Sequence, residues 1–129
     1  KGIGLLNWFM NNTREKHNII NGYTKAMWTG QTTLQLAKTM EIAAKEKAHG
    51  LVNSVPDHSI SKFELLLLFD KYLRNSSSVI NPIEGVNADK SLKRTNFEFS
   101  YLIPNYDTMV RELADWIKKH KYLYLHYAL

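Results

Sequence analysis

The chain has 129 residues, 44% hydrophobic and 22% charged, which is typical of one globular domain or a large piece of one. The absence of cysteine excludes disulfide frameworks and thiolate metal sites, and no apolar run reaches about 18 residues, so we expect no membrane span and a cytoplasmic location. The net charge of +5 would suit an anionic small ligand or a nucleic acid, but no Lys/Arg-rich run supports a nucleic-acid partner.

The first half of the chain predicts helices alternating with short strands. Thr32 and Gln35 have the spacing of a capping box and predict the start of a helix, which His49-Gly50 would end. The apolar face predicted for this helix is Leu36, Ala37, Met40, Ala43 and Ala44. The other predicted elements here are a helix over 3–12, a strand over 17–22, a loop over 23–30 and a strand over 51–55.

The second half contains the strongest helix signals. Ser61 and Glu64 form a second capping-box pair before a periodic apolar helix, and Asn105 is placed to cap the last helix. Between them, residues 79–83 predict a strand at a sheet edge because of Pro82, and residues 84–104 predict an irregular polar stretch. We expect Trp116 and the run 65–68 in the core. The pattern as a whole predicts a small mixed α/β fold with a few short strands and about four helices.

No catalytic or cofactor-binding motif is visible. The glycines form neither G-x-G-x-x-G nor G-x-x-x-x-G-K, and no tyrosine is followed by a lysine four residues later. The five histidines show no ligand spacing, so we predict no catalytic residue, no bound cofactor and no metal site within the chain.

Three stretches together resemble the C-terminal, substrate-binding half of the dTDP-4-dehydrorhamnose reductase family, which are extended short-chain-type reductases. They are GIGLLNWF (2–9), GYTKAMWTGQTTLQLA (22–37) and GLVNSVPDHSISKFELLLLF (50–69). The chain departs from the family pattern at Thr32-Thr33, where relatives often have Pro-Thr, and at Gln35, where they have an acidic residue.

The resemblance implies that residues 1–129 are the substrate-binding lobe of a longer enzyme, an expectation that the start at Lys1 without an initiator methionine also suggests. It implies a Rossmann domain upstream that holds NADPH or NADH and the catalytic residues. The parent would then reduce a 4-keto nucleotide sugar, with a dTDP-sugar as substrate and a homodimer as one assembly, and the isolated lobe would be inactive.

The resemblance also implies which residues face the substrate cleft. Trp28 could stack on a sugar or base, or fill the interface with the missing domain. Arg94, with Lys90 as the weaker candidate, could bind the diphosphate, or be a solvated loop charge. The residues expected to hydrogen-bond sugar hydroxyls are Thr29, Gln31, Thr32 and Thr33, with helix capping as the other role for Thr32.

Three other interpretations remain open. A nucleotide-sugar epimerase or dehydratase could share the same lobe, as could a regulatory module of the same fold that binds a partner enzyme. A basic nucleic-acid binder would instead show a steep loss of affinity with salt.

Overall fold

The structure, a computed structural model, describes residues 3–129; Lys1 and Gly2, where the resemblance begins, lie outside the described residues. Within residues 3–129 the chain forms four α-helices and five short strands, which confirms the predicted small mixed α/β fold. The helices are α1 Leu5–Asn12, α2 Thr33–Lys45, α3 Lys62–Leu73 and α4 Tyr106–Lys119, and two single 3₁₀ turns follow at Lys121–Leu123 and Leu125–Tyr127. The strands are β1 Ile19–Tyr23, β2 Ala26–Trp28, β3 Ile60–Ser61, β4 Val79–Ile83 and β5 Ala88–Lys90.

The strands form two small sheets. In one, β1 pairs in parallel with β4, and Pro82 lies on an edge strand as predicted, because β1 is the only neighbour of β4 among the described strands. In the other, β2 lies between β3 and β5, antiparallel to the first and parallel to the second. Because β3 leads directly into α3, this second sheet brings the ends of β2 and β5 close to the start of α3.

The core lies between α3 and α4, with α1 and the last 3₁₀ turn packed against it. The capping box at the start of α3 is complete: Ser61 Oγ accepts the Glu64 N–H at 3.1 Å, and Glu64 Oε2 accepts the Ser61 N–H at 2.9 Å. The buried apolar side chains of this core are Phe9, Met10, Ile20, Ile60, Leu65, Leu66, Phe69, Leu73, Ile103, Tyr106, Met109, Val110, Ala114, Ile117 and Tyr127.

Arg74, at the end of α3, joins three separate parts of the chain. Its guanidinium donates hydrogen bonds to the carbonyl oxygens of Met10 (2.9 Å), Tyr127 (3.0 Å) and Ala128 (2.8 Å), and its Nε donates to Thr13 Oγ1 (3.1 Å). The end of α1 and the end of the chain are therefore fixed to α3 by one side chain.

Four predicted assignments were wrong. Residues 84–104 were predicted to be irregular, but they contain β5, which pairs with β2. The predicted loop 23–30 contains β2, because strand pairing with distant residues decides its conformation. The predicted strand 51–55 is irregular, and its backbone carbonyls bond instead to side chains: Asn96 Nδ2 reaches Leu51 O and Gln31 Nε2 reaches Ser54 O. Helix α2 ends at Lys45, before the predicted stop, because Lys47 adopts a left-handed conformation (φ 52°).

The predicted inward faces were also partly wrong. On α2, Leu36 and Met40 are 45% and 63% exposed, whereas Gln35 and Thr39 are buried. The buried pair is hydrogen-bonded, since Gln35 Nε2 donates to Tyr101 Oη at 2.8 Å. Outside α2, two side chains expected in the core are 41% and 43% exposed, namely Trp116 and Leu67.

Across residues 3–129, no helix combines the length and the apolar character needed to cross a membrane.

Candidate functional site

A cavity of about 640 Å³ opens between α1, the three-stranded sheet, α4 and the end of the chain. Most of the side chains that line it are apolar, and seven of them belong to the buried core described above. Its polar lining is concentrated where β2, β5, the start of α2 and the start of α3 meet. The residues of this rim are Trp28, Gln31, Thr32, Thr33, Ser61, Lys62 and Lys90.

The rim is electropositive. The charged side chains that line the cavity are Lys62 and Lys90; both are exposed, and neither forms an ion pair within residues 3–129. No aspartate, glutamate or histidine lines the cavity within the described residues. The N-termini of α2 and α3 also reach the rim, and a helix N-terminus carries a partial positive charge. The rim thus offers two free cations and two helix N-termini to an anion.

Trp28 stands at the end of β2 with its indole folded over Gly30. A Cβ atom on Gly30 would lie 2.0 Å from the Trp28 ring, so only glycine leaves room for this placement. The Tyr106 ring packs against the indole with centroids 6.2 Å apart, and Tyr106 Oη accepts the Gly30 N–H at 3.2 Å. Burial raises the pKa of Tyr106, and the Gly30 N–H partly opposes this. The indole remains 36% exposed, so part of its surface is free.

Five of the seven residues predicted to contact substrate line the cavity, namely Trp28, Gln31, Thr32, Thr33 and Lys90. Thr33 is exposed in the first turn of α2. The preceding Thr32 also lines the cavity and caps this helix, because its Oγ1 accepts the Gln35 N–H at 3.2 Å. Thr33, Trp28 and Lys90 therefore lie at the rim, and their contacts with a substrate stay predictions.

Gln31 lines the cavity but already has protein partners. Its Nε2 donates to Ser54 O at 2.7 Å, and its Oε1 accepts the Thr39 hydroxyl at 2.7 Å. These bonds fix α2 to the segment before β3. A ligand would have to compete with them for the Gln31 side chain.

Thr29 and Arg94 do not line the cavity. Thr29 is buried, and its Oγ1 accepts the Leu92 N–H at 2.7 Å, which fastens β2 to the chain after β5. Arg94 donates to the carbonyl oxygens of Asn96 and Tyr101 and packs over two phenylalanine rings, those of Phe97 and Phe99. The phosphate role of Arg94 stays a prediction of the sequence, and its contacts within residues 3–129 are those of a loop organiser.

Two site residues were missed by the sequence analysis. Lys62 lies in the first turn of α3, and its signal was visible, since it is the one polar residue on an otherwise apolar helix face. Tyr106 was not predicted as a site residue, because its contact with Gly30 spans 76 residues of sequence and no local pattern indicates it.

Gly30 is the glycine between β2 and α2. Nicotinamide cofactors use a glycine loop between strand and helix to approach the pyrophosphate. Here Gly30 occupies that place, but the Trp28 indole covers it. The loop at Gly30 therefore does not leave the open backbone that a nicotinamide dinucleotide uses for its pyrophosphate. Within residues 3–129 there is also no cluster of three or more His, Cys, Asp or Glu side chains that could hold a metal ion.

No protein-family model and no curated protein matches the sequence. Among the solved structures that share the fold are two from Bacillus anthracis and one from Methanobrevibacter ruminantium. The dTDP-4-dehydrorhamnose reductase of Bacillus anthracis in complex with NADP matches with a TM-score of 0.68 and 12% identity over 87% of this chain and 43% of that chain. The dTDP-glucose 4,6-dehydratase of the same organism, in complex with NAD, matches with a TM-score of 0.59 and 12% identity, covering 92% and 40%.

The third structure is a UDP-N-acetylglucosamine 4-epimerase from Methanobrevibacter ruminantium in complex with UDP-N-acetylmuramic acid. It matches with a TM-score of 0.55 and 16% identity over 90% of this chain and 39% of that chain. The chain thus spans less than half the length of each solved structure that it resembles. At these identities the likeness shows the fold alone: a small mixed α/β unit that matches part of each of these three structures.

Proposed function

We propose that this chain is the substrate-binding lobe of an NAD(P)H-dependent enzyme of nucleotide-sugar metabolism. The observation that carries the proposal is the rim, where two lysines without acidic partners stand beside a partly exposed tryptophan. A nucleotide sugar has the complementary parts: a doubly charged diphosphate, a flat base and a sugar. The likeness to a reductase, a dehydratase and an epimerase that all act on sugar nucleotides supports the same class of ligand.

Each rim residue has a role in this proposal. Lys62 and Lys90 pair with the diphosphate, helped by the N-termini of α2 and α3. Trp28 offers an aromatic face to a ring of the ligand, and Thr33 offers a hydroxyl to the sugar. The apolar lining behind the rim excludes water, which strengthens these charged contacts.

The reaction we propose for the parent protein is reduction of a 4-keto nucleotide sugar, as in a dTDP-4-dehydrorhamnose reductase. Hydride comes from NADPH or NADH bound by a Rossmann domain of that parent, and the catalytic residues belong to the same domain. Epimerisation and dehydration are the alternatives, because the fold is shared with enzymes of both kinds. The isolated chain should not oxidise NADPH with any nucleotide sugar, and clear turnover would contradict the assignment of this chain as a binding lobe.

The binding test is calorimetric titration of the 129-residue chain with dTDP-glucose at low salt. We expect Lys62→Ala and Lys90→Ala each to weaken binding by about tenfold, because each removes one charge-assisted contact to the diphosphate. Lys119→Ala is the matched control, since Lys119 is an exposed lysine at the end of α4 that does not line the cavity. Equal effects of all three substitutions, or no binding by the wild type, would overturn the proposal.

A further inference from the structure

We infer that Tyr106 is a positioning residue that holds the Trp28 indole in place at the rim, and that the indole is the stacking surface for the base of a nucleotide. The nucleotide as ligand rests on the proposed function, but the positioning of Trp28 by Tyr106 can be tested without any ligand.

The hydroxyl group of Tyr106 connects the two residues that flank Thr29. Tyr106 Oη accepts the Gly30 N–H at 3.2 Å and donates to the Trp28 carbonyl at 3.4 Å. The turn that follows β2 is therefore held from inside the core, because Tyr106 is only 4% exposed. Thr29 holds the same turn from the other direction through its bonds to Leu92.

The ring of Tyr106 adds a second constraint. It packs against the indole at an interplanar angle of 39°, and the His58 ring contacts Tyr106 edge-on with centroids 5.6 Å apart. Gly30 supplies the space, since any side chain there would collide with the indole. A tryptophan fixed in this way loses little side-chain freedom when a flat ring stacks on it, which favours binding.

The ligand class follows from the neighbours of the indole. Trp28 on β2 lies directly opposite Lys90 on the neighbouring strand β5, and Lys62 lines the same cavity. An aromatic face next to two cations suits a heteroaromatic base joined to phosphate. A bare sugar phosphate would use the lysines but leave the indole without a stacking partner.

The test uses a chain in which Trp28 is the only tryptophan, made by Trp8→Phe and Trp116→Phe, both at side chains more than 40% exposed. In this background, Tyr106→Phe should increase acrylamide quenching of Trp28 and shift its emission to the red. Gly30→Ala should give the larger change, because its Cβ directly displaces the indole. Tyr72→Phe is the matched control, because it also removes a partly buried hydroxyl group, here one bonded to Asp107, and Tyr72 does not line the cavity.

Ligand titrations with dTDP and with ribose 5-phosphate complete the test. We expect dTDP to quench Trp28 and ribose 5-phosphate to leave it unchanged, and Tyr106→Phe to weaken dTDP binding about fivefold through one lost hydrogen bond. Unchanged quenching by acrylamide in Tyr106→Phe, or an equal change in Tyr72→Phe, would overturn the positioning role. Quenching by both ligands would overturn base stacking, whereas absence of any binding would overturn the proposed function itself.

Discussion

Two arginines organise two different regions of the molecule, and both do so by donating to backbone carbonyl oxygens. Arg74 reaches residues 53 to 64 positions away in the chain, at the end of α1 and at the C-terminal end. Arg94 reaches Asn96 and Tyr101, which are two and seven positions away. The same chemistry thus joins distant elements in one region and shapes a local segment in the other.

The difference separates global from local stability. Bonds between distant segments form only when the whole domain folds, so their loss affects the free energy of unfolding. Bonds within one segment can open while the rest of the domain stays folded. The bonds of Arg74 are therefore global in effect, and those of Arg94 local.

The largest effect is expected for Arg74→Ala. The substitution leaves the carbonyl oxygens of Met10 and Tyr127 without their charged donor, and we expect the free energy of unfolding to fall by about 3 kcal/mol. Urea denaturation followed by circular dichroism measures it. Arg74→Lys should recover only a small part, because an ammonium group cannot bond to four acceptors spread around a planar fork.

Arg14→Ala is the control for this prediction. Arg14 donates to Asn11 in an exposed position. Burial is the main cause that lowers the pKa of Arg74, the positive charge of Arg14 lowers it further, and the negative charge of Asp70 opposes both. Removing Arg14 should change the free energy of unfolding by less than about 0.5 kcal/mol. If Arg14→Ala lowered the free energy of unfolding as much as Arg74→Ala, the positive charge of this region, and not the hydrogen bonds of Arg74, would be what stabilises it.

A smaller and more local effect is expected for Arg94→Ala. We expect amide hydrogen exchange to accelerate in residues 88–103, with a change of less than about 1 kcal/mol in the free energy of unfolding. Hydrogen exchange followed by mass spectrometry measures this, and peptides from α3 in the same variant serve as the internal reference. Equal acceleration in both peptides would place Arg94 in the same global class as Arg74.

The predicted starts of α2 and α3 were both confirmed, but the capping box is complete only at α3. Ser61 and Glu64 complete their capping box because nothing else competes for the glutamate side chain. Thr32 caps α2, but Gln35 bonds to Tyr101, 66 residues away, and does not return to the cap. The sequence pattern was the same in both helices, and only the folded chain distinguishes them.

The apolar face of α2 was misassigned for the same reason. Leu36 and Met40 have helical spacing, which predicts burial, but the side of α2 that faces the domain carries Gln35 and Thr39. A buried polar pair is favourable only when its partners are in place, here Gln31 and Tyr101. Since these partners come from other segments, periodicity alone could not identify the inward face.

At the candidate site, the sequence could identify the residue types but not their partners. The resemblance suggested Trp28 and Lys90, and both line the cavity. It also suggested Thr29, whose hydroxyl group bonds to Leu92, and Arg94, whose Nε and Nη1 donate to backbone carbonyls while its buried Nη2 has no partner within residues 3–129. Whether a side chain is free for a ligand depends on distant contacts, which a pattern of neighbours does not contain.

The smallest predicted effect concerns Asp107, which links α3 to α4 near the Arg74 region through an exposed cluster. Its Oδ1 accepts from Lys71 Nζ at 3.0 Å and from Tyr72 Oη at 2.8 Å. Both hydrogen bonds lower the pKa of Asp107, and the bond from Lys71 has the larger effect. A carboxyl group with a lowered pKa in the folded state stabilises the fold above its unfolded value of about 3.9, and this contribution is lost as the pH falls through the folded value.

Asp107→Asn should therefore lower the melting temperature slightly at pH 7, by less than about 2 °C, because the Asp107 and Lys71 side chains are 46% and 54% exposed. The difference from wild type should persist down to about pH 5 and shrink below about pH 4, as wild-type Asp107 becomes protonated. Melting curves of both proteins between pH 2 and pH 7 measure this. A difference that stays constant to the lowest pH would mean that the carboxylate charge contributes nothing, and that even this exposed link between α3 and α4 acts through packing alone.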